Sequence, residues 1–441
     1  MFKDLLRTPA KLLFLLIFFF YVFDVNFSFV PITTSVGIGM IGVVALIAFM
    51  LTENIRVESK SVKAVWLLFL LVLCLLISVI YNQSTDFSFL FKEIFRNNIL
   101  VFSGAFLMAL MCSRWEISAR DGLKCFIFVS ALQSVITIIS FIVPPVGESL
   151  RSIQSFNDRI ANVLGDGIRA FGLGAGFDRG SFIMSFLLII TCYLYVTCGE
   201  EEKKGKYIFL YILQAFAGLL MARSIITGVA FSLLYILLIP RKKFVAFKFV
   251  LKLVLTIASF VALVMVFFPN VLEKYQGTIV WLTEFFNTEK IAATGKTTNT
   301  LDTLFNHMYF VPEKTSTWVI GDGYYLNQHG SPYMNVDPCY MRYLLLFGVA
   351  GTAVFLIFII TLAFILRSDE SDYFGEDKEH KTAYDLMLVF FVLEQLLIYV
   401  KLDFHFYFIV YFMLWLEFFN KKKFPVNYEA LMERLTAGNI F

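Results

Sequence analysis

Charge is what this chain has least of. Only 16% of its 441 residues are Asp, Glu, Lys or Arg, where soluble globular chains carry about 25%. With 59% hydrophobic and 17% aromatic residues, soluble and disordered chains are both disfavoured. The basic residues are scattered among loops and form no footprint for nucleic acid. No paired CxxC elements that would hold zinc are present, so no metal and no cofactor is expected. Of the six cysteines, Cys74 and Cys192 lie inside apolar runs. Cys112, Cys125 and Cys198 fall at the expected cytoplasmic ends. Cys339 alone faces outward, so no external intrachain disulfide is expected. The "ATGKTT" ending at Thr298 has the tail of a phosphate loop, but Lys290 stands where its first glycine belongs. No internal repeat is evident.

Long apolar runs are what the chain has in excess. They recur at about 20 residues, the length of helix that crosses a bilayer core. A closed β-barrel would instead need alternating segments of about 10 residues. The expected fold is an all-α polytopic membrane protein with about twelve spans. They lie near 12–30, 34–52, 64–81, 97–113, 125–143, 181–198, 207–221, 225–240, 249–268, 343–366, 385–400 and 404–419. The chain then divides into residues 1–268 with nine spans and an outward loop at 144–180, a large outward loop at 269–342, and residues 343–441 with three spans and a tail. The first run follows Lys3, Arg7 and Lys11 and lacks a small-residue cleavage site, so it is read as an uncleaved span. The pair 207–240 is broken only by "ARS" at Ala222–Ser224, which predicts two short helices turning at Arg223.

Orientation follows from the side on which Lys and Arg gather. With the N-terminus inside, the cytoplasmic segments hold 24 of the 37. Every tight cluster (Lys203–Lys206, Arg241–Lys243, Lys421–Lys423) falls on that side, and both termini are expected to be cytoplasmic. The acidic stretch at Ser368–Lys381 is a solvated inner connector. The loop 269–342 is too long for a simple connection, and its part 271–290 has the apolar spacing of an amphipathic helix.

The candidate chemistry sits in the outward segments. Loop 144–180 carries Arg151, Arg159, Arg169 and Arg179 and no lysine, and the planar guanidinium fork suits phosphate oxygens. Gly172, Gly174 and Gly176 allow close backbone approach. Arg223 lies between two apolar runs, where an unpaired charge is costly and marks function. The large loop holds Asp302, His307, Asp322, His329 and Asp337 among many aromatics, a mixture suited to sugars with their apolar faces and hydroxyls. Asp24 is placed at the outer end of the first span. Glu394 and Gln395 are expected to hydrogen-bond between helices. Lys401, Asp403 and His405 are read as a local ion pair in a tight turn.

Three short motifs resemble the O-antigen polymerase and ligase superfamily. "DPCYMRYLLLFGVAG" places Asp337 where ligases carry a histidine, Tyr340 at the aromatic position, and Gly348 and Gly351 at a Gly-x-x-Gly. "ARSIITG" supplies Arg223 and Gly228, and "RAFGLGAGFDRGSF" supplies Arg169 and Gly180. The aspartate argues for polymerase over ligase. The resemblance implies a C-type glycosyltransferase-like architecture in the bacterial inner membrane. It implies transfer of a growing glycan from undecaprenyl diphosphate to a hydroxyl of a new lipid-linked repeat unit on the periplasmic face. In that reaction Arg169 and Arg223 stabilise the departing diphosphate and Asp337 acts as base. His329 is the second choice of base, and Arg179, Tyr340 and Arg342 are substrate-binding candidates. A chain-length regulator and a flippase are the implied protein partners, membrane lipid surrounds the chain, and nucleic acid is not a partner. The alternatives are a ligase and a lipid-glycan flippase.

Overall fold

A computed structural model describes residues 9–53, 59–115, 117–155, 169–174, 176–199, 203–239, 243–267, 276–284, 298–367 and 378–423. Arg159, Arg241, Lys242 and the tail past Lys423 lie outside them. The described residues form helices and turns, with two isolated bridges, Phe27–Gln154 and Leu326–Pro332. The long helices are α1 (Pro9–Phe23), α2 (Thr34–Thr52), α3 (Ser59–Tyr81), α4 (Leu90–Arg114), α5 (Ala119–Ile142) and α6 (Phe177–Val196). They continue with α7 (Gly205–Met221), α8 (Ile225–Leu238), α9 (Lys243–Phe267), α10 (Cys339–Ile365), α11 (Lys378–Ile398) and α12 (Tyr407–Lys423). Among the described residues, six segments, in α2 to α6 and α10, are long and apolar enough to cross a membrane.

Helix α6 is the central post. It is apolar all round, and its side chains from Gly180 to Val196 are buried, as such a helix requires. Its few polar groups are answered internally. Thr191 meets Gln214 of α7 at 2.8 Å, and Gln214 reaches Ser130 of α5 at 2.5 Å. Gly228 lets α8 lie directly on Ser185, since a Cβ there would overlap Ser185; small residues allow such close crossings. The outer helices are different. α2 and α3 expose Ile41, Val44, Leu51, Val65, Trp66 and Ile80, an apolar surface far beyond scattered single residues.

Two irregularities shape the functional end. The first span is shorter than expected: α1 stops at Phe23 because Asp24 takes a left-handed φ of 45°, and its carboxylate accepts from the Ser35 N–H at 3.1 Å, at the start of α2. Helix α10 breaks at Gly348, whose φ is 67° and ψ −169°. The break leaves carbonyls at Leu345 and Leu346 without helical donors, and the large loop supplies them. Asp322 N–H donates to Leu345 O at 2.5 Å, and Gly323 N–H to Leu346 O at 3.3 Å. Ser78 Oγ of α3 adds a bond to Leu346 O at 2.7 Å. The helix Thr315–Val319 is thereby docked on the break. Gln276–Thr283 is helical, within the stretch expected as amphipathic.

Candidate functional site

Alternate connections between the helices meet one another. Those after α1, α5, α7 and α11 and that before α10, together with the first parts of α4, α6 and α10, share three charged clusters. A different set is joined by Arg120 with the Thr197 carbonyl, Tyr235 with the Ala383 carbonyl, and Arg367 with Asp385. This is the pattern of a chain threading back and forth between two faces.

The first cluster is built on the turn Ala222–Ser224 between α7 and α8. The backbone at Ala170 is tied to that corner by its N–H on Leu220 O at 2.8 Å, which brings Arg169 alongside Arg223. Both guanidiniums lie against one indole: Arg169 stands 4.9 Å and Arg223 5.0 Å from the Trp281 ring centre. The two are therefore no farther apart than the sum of those distances. Arg223 also donates to Trp281 O at 3.1 Å and to the Glu284 carboxylate at 2.6 Å. Cation–π contacts and charge-assisted bonds of this kind fix a guanidinium plane. Beside them Asp178, at the start of α6, accepts from Ser224 Oγ at 2.8 Å and from Lys401 Nζ at 2.5 Å.

The second cluster is buried. Arg342 on α10 meets Asp403 at 3.1 Å and lies 4.2 Å over the Tyr325 ring. His405 Nε2 is 2.8 Å from Glu93 and 3.2 Å from Asp403. Tyr325 donates to Asp403 at 2.6 Å, and Tyr343 at 3.1 Å. Glu93 comes from the wide-wound first part of α4, Leu90–Leu100, which is a π-helix; such turns are rare and concentrate at functional sites. Burial opposes charge on both members of the turn pair. The Arg342 guanidinium nevertheless holds Asp403 well below the usual carboxylate range, and Glu93 and Asp403 push His405 up to about 9. Glu93, Asp403 and His405 each offer a donor atom within 4.8 Å of the others, a spacing that would suit a cation. Arg342 and a protonated His405 already serve as the cations of this cluster.

The third cluster joins Asp24 to Arg96 at 3.0 Å and to Arg179 at 3.7 Å. Burial opposes ionisation of Asp24, but Arg179 and Arg96 hold its carboxyl below the ordinary value. A cavity between the second and third clusters is lined by Asp24, Ser35, Asn97, Arg179, Asp403 and His405, with aromatic rings beside them.

The structure brings Arg169 and Arg223 together and leaves Arg179 exposed at the cavity. Arg342 is committed to Asp403. Tyr340 spends its hydroxyl on Leu396 O at 2.8 Å. Asp337 is half-buried just ahead of α10, and His329 is exposed at the turn Asn327–Ser331. Arg151 lies on the short helix Pro144–Ser152. Sequence reasoning counted Trp281 only among the large loop's sugar-suited aromatics and overlooked Glu284, Asp178, Arg96 and Glu93. It read Lys401, Asp403 and His405 as one local pair, whereas the turn sends Lys401 to Asp178 and keeps Asp403 with His405. The available signal was the polar run "KEIFRNN" at the mouth of an apolar span. Compared with known proteins, the chain matches no family model, no curated protein and no solved structure.

Proposed function

We propose that this protein is a membrane glycosyltransferase that joins undecaprenyl-diphosphate-linked oligosaccharide repeat units into a surface polysaccharide. In this reading twelve helices span the bacterial inner membrane with both termini cytoplasmic, and the three charged clusters face the periplasm. The observation that carries it is the seating of Arg169 and Arg223 on one indole beside the α7–α8 corner.

The chemistry follows from that seat. The acceptor hydroxyl oxygen bonds to the donor sugar's anomeric carbon as the bond from that carbon to the diphosphate oxygen breaks. The electron pair leaves with the diphosphate, and the hydroxyl proton passes to a base. Guanidiniums already oriented where negative charge develops stabilise that state without reorganising. Asp337 is the proposed base, on its half-buried place at the start of α10. The hydroxyl's high pKa makes such a base worth about 10²–10⁴-fold. The exposed apolar faces of α2 and α3 suit a lipid environment, through which a polyprenyl tail would approach.

The test is genetic. In a strain lacking the gene, Arg169→Ala and Arg223→Ala are expected to leave single-repeat surface glycans while protein levels persist. Wild-type chain-length ladders from both variants would refute the reading. In the deletion strain itself, unattached polymer would indicate a ligase instead, and absence of external repeats a flippase.

A further inference from the structure

Two carboxylates and three cations share the first cluster, and the reading above uses only two of the cations. We infer that Lys401 is a third anion-binding group of the same site, positioned there by Asp178; this rests on the diphosphate reading of Arg169 and Arg223.

Asp178 is the hub of the cluster. Its Oδ1 accepts both from Lys401 Nζ at 2.5 Å and from Ser224 Oγ at 2.8 Å. Ser224 is the residue next to Arg223 in the turn. Phe177, the residue before Asp178, has its ring 5.8 Å from the Arg169 guanidinium. One carboxylate thus ties the tip of the α11–α12 turn to the corner that carries Arg223, next in sequence to the ring that faces Arg169. Lys401 and Asp178 keep 29% of their side-chain surface exposed, so the ammonium is within reach of a ligand. The second cluster holds the same turn rigidly, through Asp403 and His405 two and four residues on.

The charge balance points the same way. Without ligand, Asp178 and Glu284 offset three cations that would otherwise repel. A diphosphate carries more negative charge than one carboxylate, and a compact ammonium with rotatable donors complements the planar forks of two arginines. When a diphosphate enters, it replaces the Glu284 carboxylate on Arg223, and Lys401 turns one N–H toward a phosphate oxygen while keeping Asp178.

The test uses the full chain in detergent, with inorganic pyrophosphate and farnesyl diphosphate as probes and farnesol as the uncharged control. Lys401→Ala is expected to weaken both diphosphate probes by about tenfold, the scale of one lost charge-assisted contact. Farnesol binding should stay unchanged, and Lys401→Arg should recover most of the loss. Should Lys401→Ala fail to fold, Lys401→Gln replaces it with the same expectation. Wild-type affinity for both diphosphates in the variant, or an equal loss for farnesol, overturns the inference. Arg223→Ala separates the two levels. If it loses pyrophosphate and Lys401→Ala does not, only Lys401 is excluded. If Arg223→Ala also binds pyrophosphate as wild type does, the diphosphate site itself falls and Lys401 with it.

Discussion

Arg342 and Asp403 meet at 3.1 Å with side chains only 7% and 2% exposed, joining α10 to the turn that also carries Lys401. Breaking such a pair strands a charge away from water, whereas removing both partners does not. Asp403→Asn is therefore expected to cost about 3–5 kcal/mol. The double variant Arg342→Met, Asp403→Asn should recover part of it, since the asparagine keeps an acceptor for the Tyr325 and Tyr343 hydroxyls. Thermal unfolding in detergent measures both. A double variant less stable than either single one would contradict this account.

His405 makes stability depend on pH. Its pKa in the folded protein is about 9, above the ordinary 6.5, because Glu93 and Asp403 outweigh the opposing effect of burial. The folded state therefore holds its proton more tightly than the unfolded state. That stabilisation is complete below pH 6.5 and is lost as pH rises toward 9. Denaturation midpoints should fall across that window in the wild type. A flatter slope is expected in His405→Gln, and an identical slope in the two proteins would exclude His405 as its source.

Gly348 occupies backbone that an alanine adopts only under strain, and an added Cβ would press on the Val319 carbonyl. Gly348→Ala is expected to destabilise by more than about 1 kcal/mol. It should also increase hydrogen exchange at Asp322 and Gly323, whose N–H groups close the break. Unchanged exchange at those two amides would show that the loop docks independently of the break.

Glu284 holds Arg223 at 2.6 Å and so competes with any anion bound there. Glu284→Gln should bind pyrophosphate several-fold more tightly, by removing one charge-assisted bond that the ligand must displace. Weaker binding in a titration of the purified variant would mean that the carboxylate helps to build the seat.

Much of the helical order was legible in the sequence, because long apolar runs admit little else. The α7–α8 corner at Arg223 was readable for the same reason: one polar triplet interrupts an otherwise continuous apolar stretch. Asp24 was placed at the end of the first span, but its two arginine partners come from the first turns of the distant helices α4 and α6, and composition cannot pair them. The site was half visible. Arg223 stood out because a charge between apolar runs is costly, and Arg169 because its loop pairs arginines with glycines, yet Trp281 was one aromatic among many and Glu284 looks like any other residue of a long loop. Lys401, Asp403 and His405 are neighbours in sequence, which favoured a local pairing. The turn aims Lys401 at one cluster and Asp403 and His405 at another, and only the packed fold decides that. Glu394 illustrates the simpler case: a carboxyl in an apolar helix, expected to bridge helices, accepts from Thr227 of α8 at 2.8 Å.

The docking of Asp322 and Gly323 onto the broken helix sets the rule for exchanging the large loop between proteins. A graft whose backbone takes another path across Thr315–Gly323 would withdraw the Asp322 and Gly323 donors, leaving the Leu345 carbonyl unserved and the Leu346 carbonyl with Ser78 Oγ alone. The seams should be cut outside that stretch, so that the host keeps its own plug and only the distal loop changes hands.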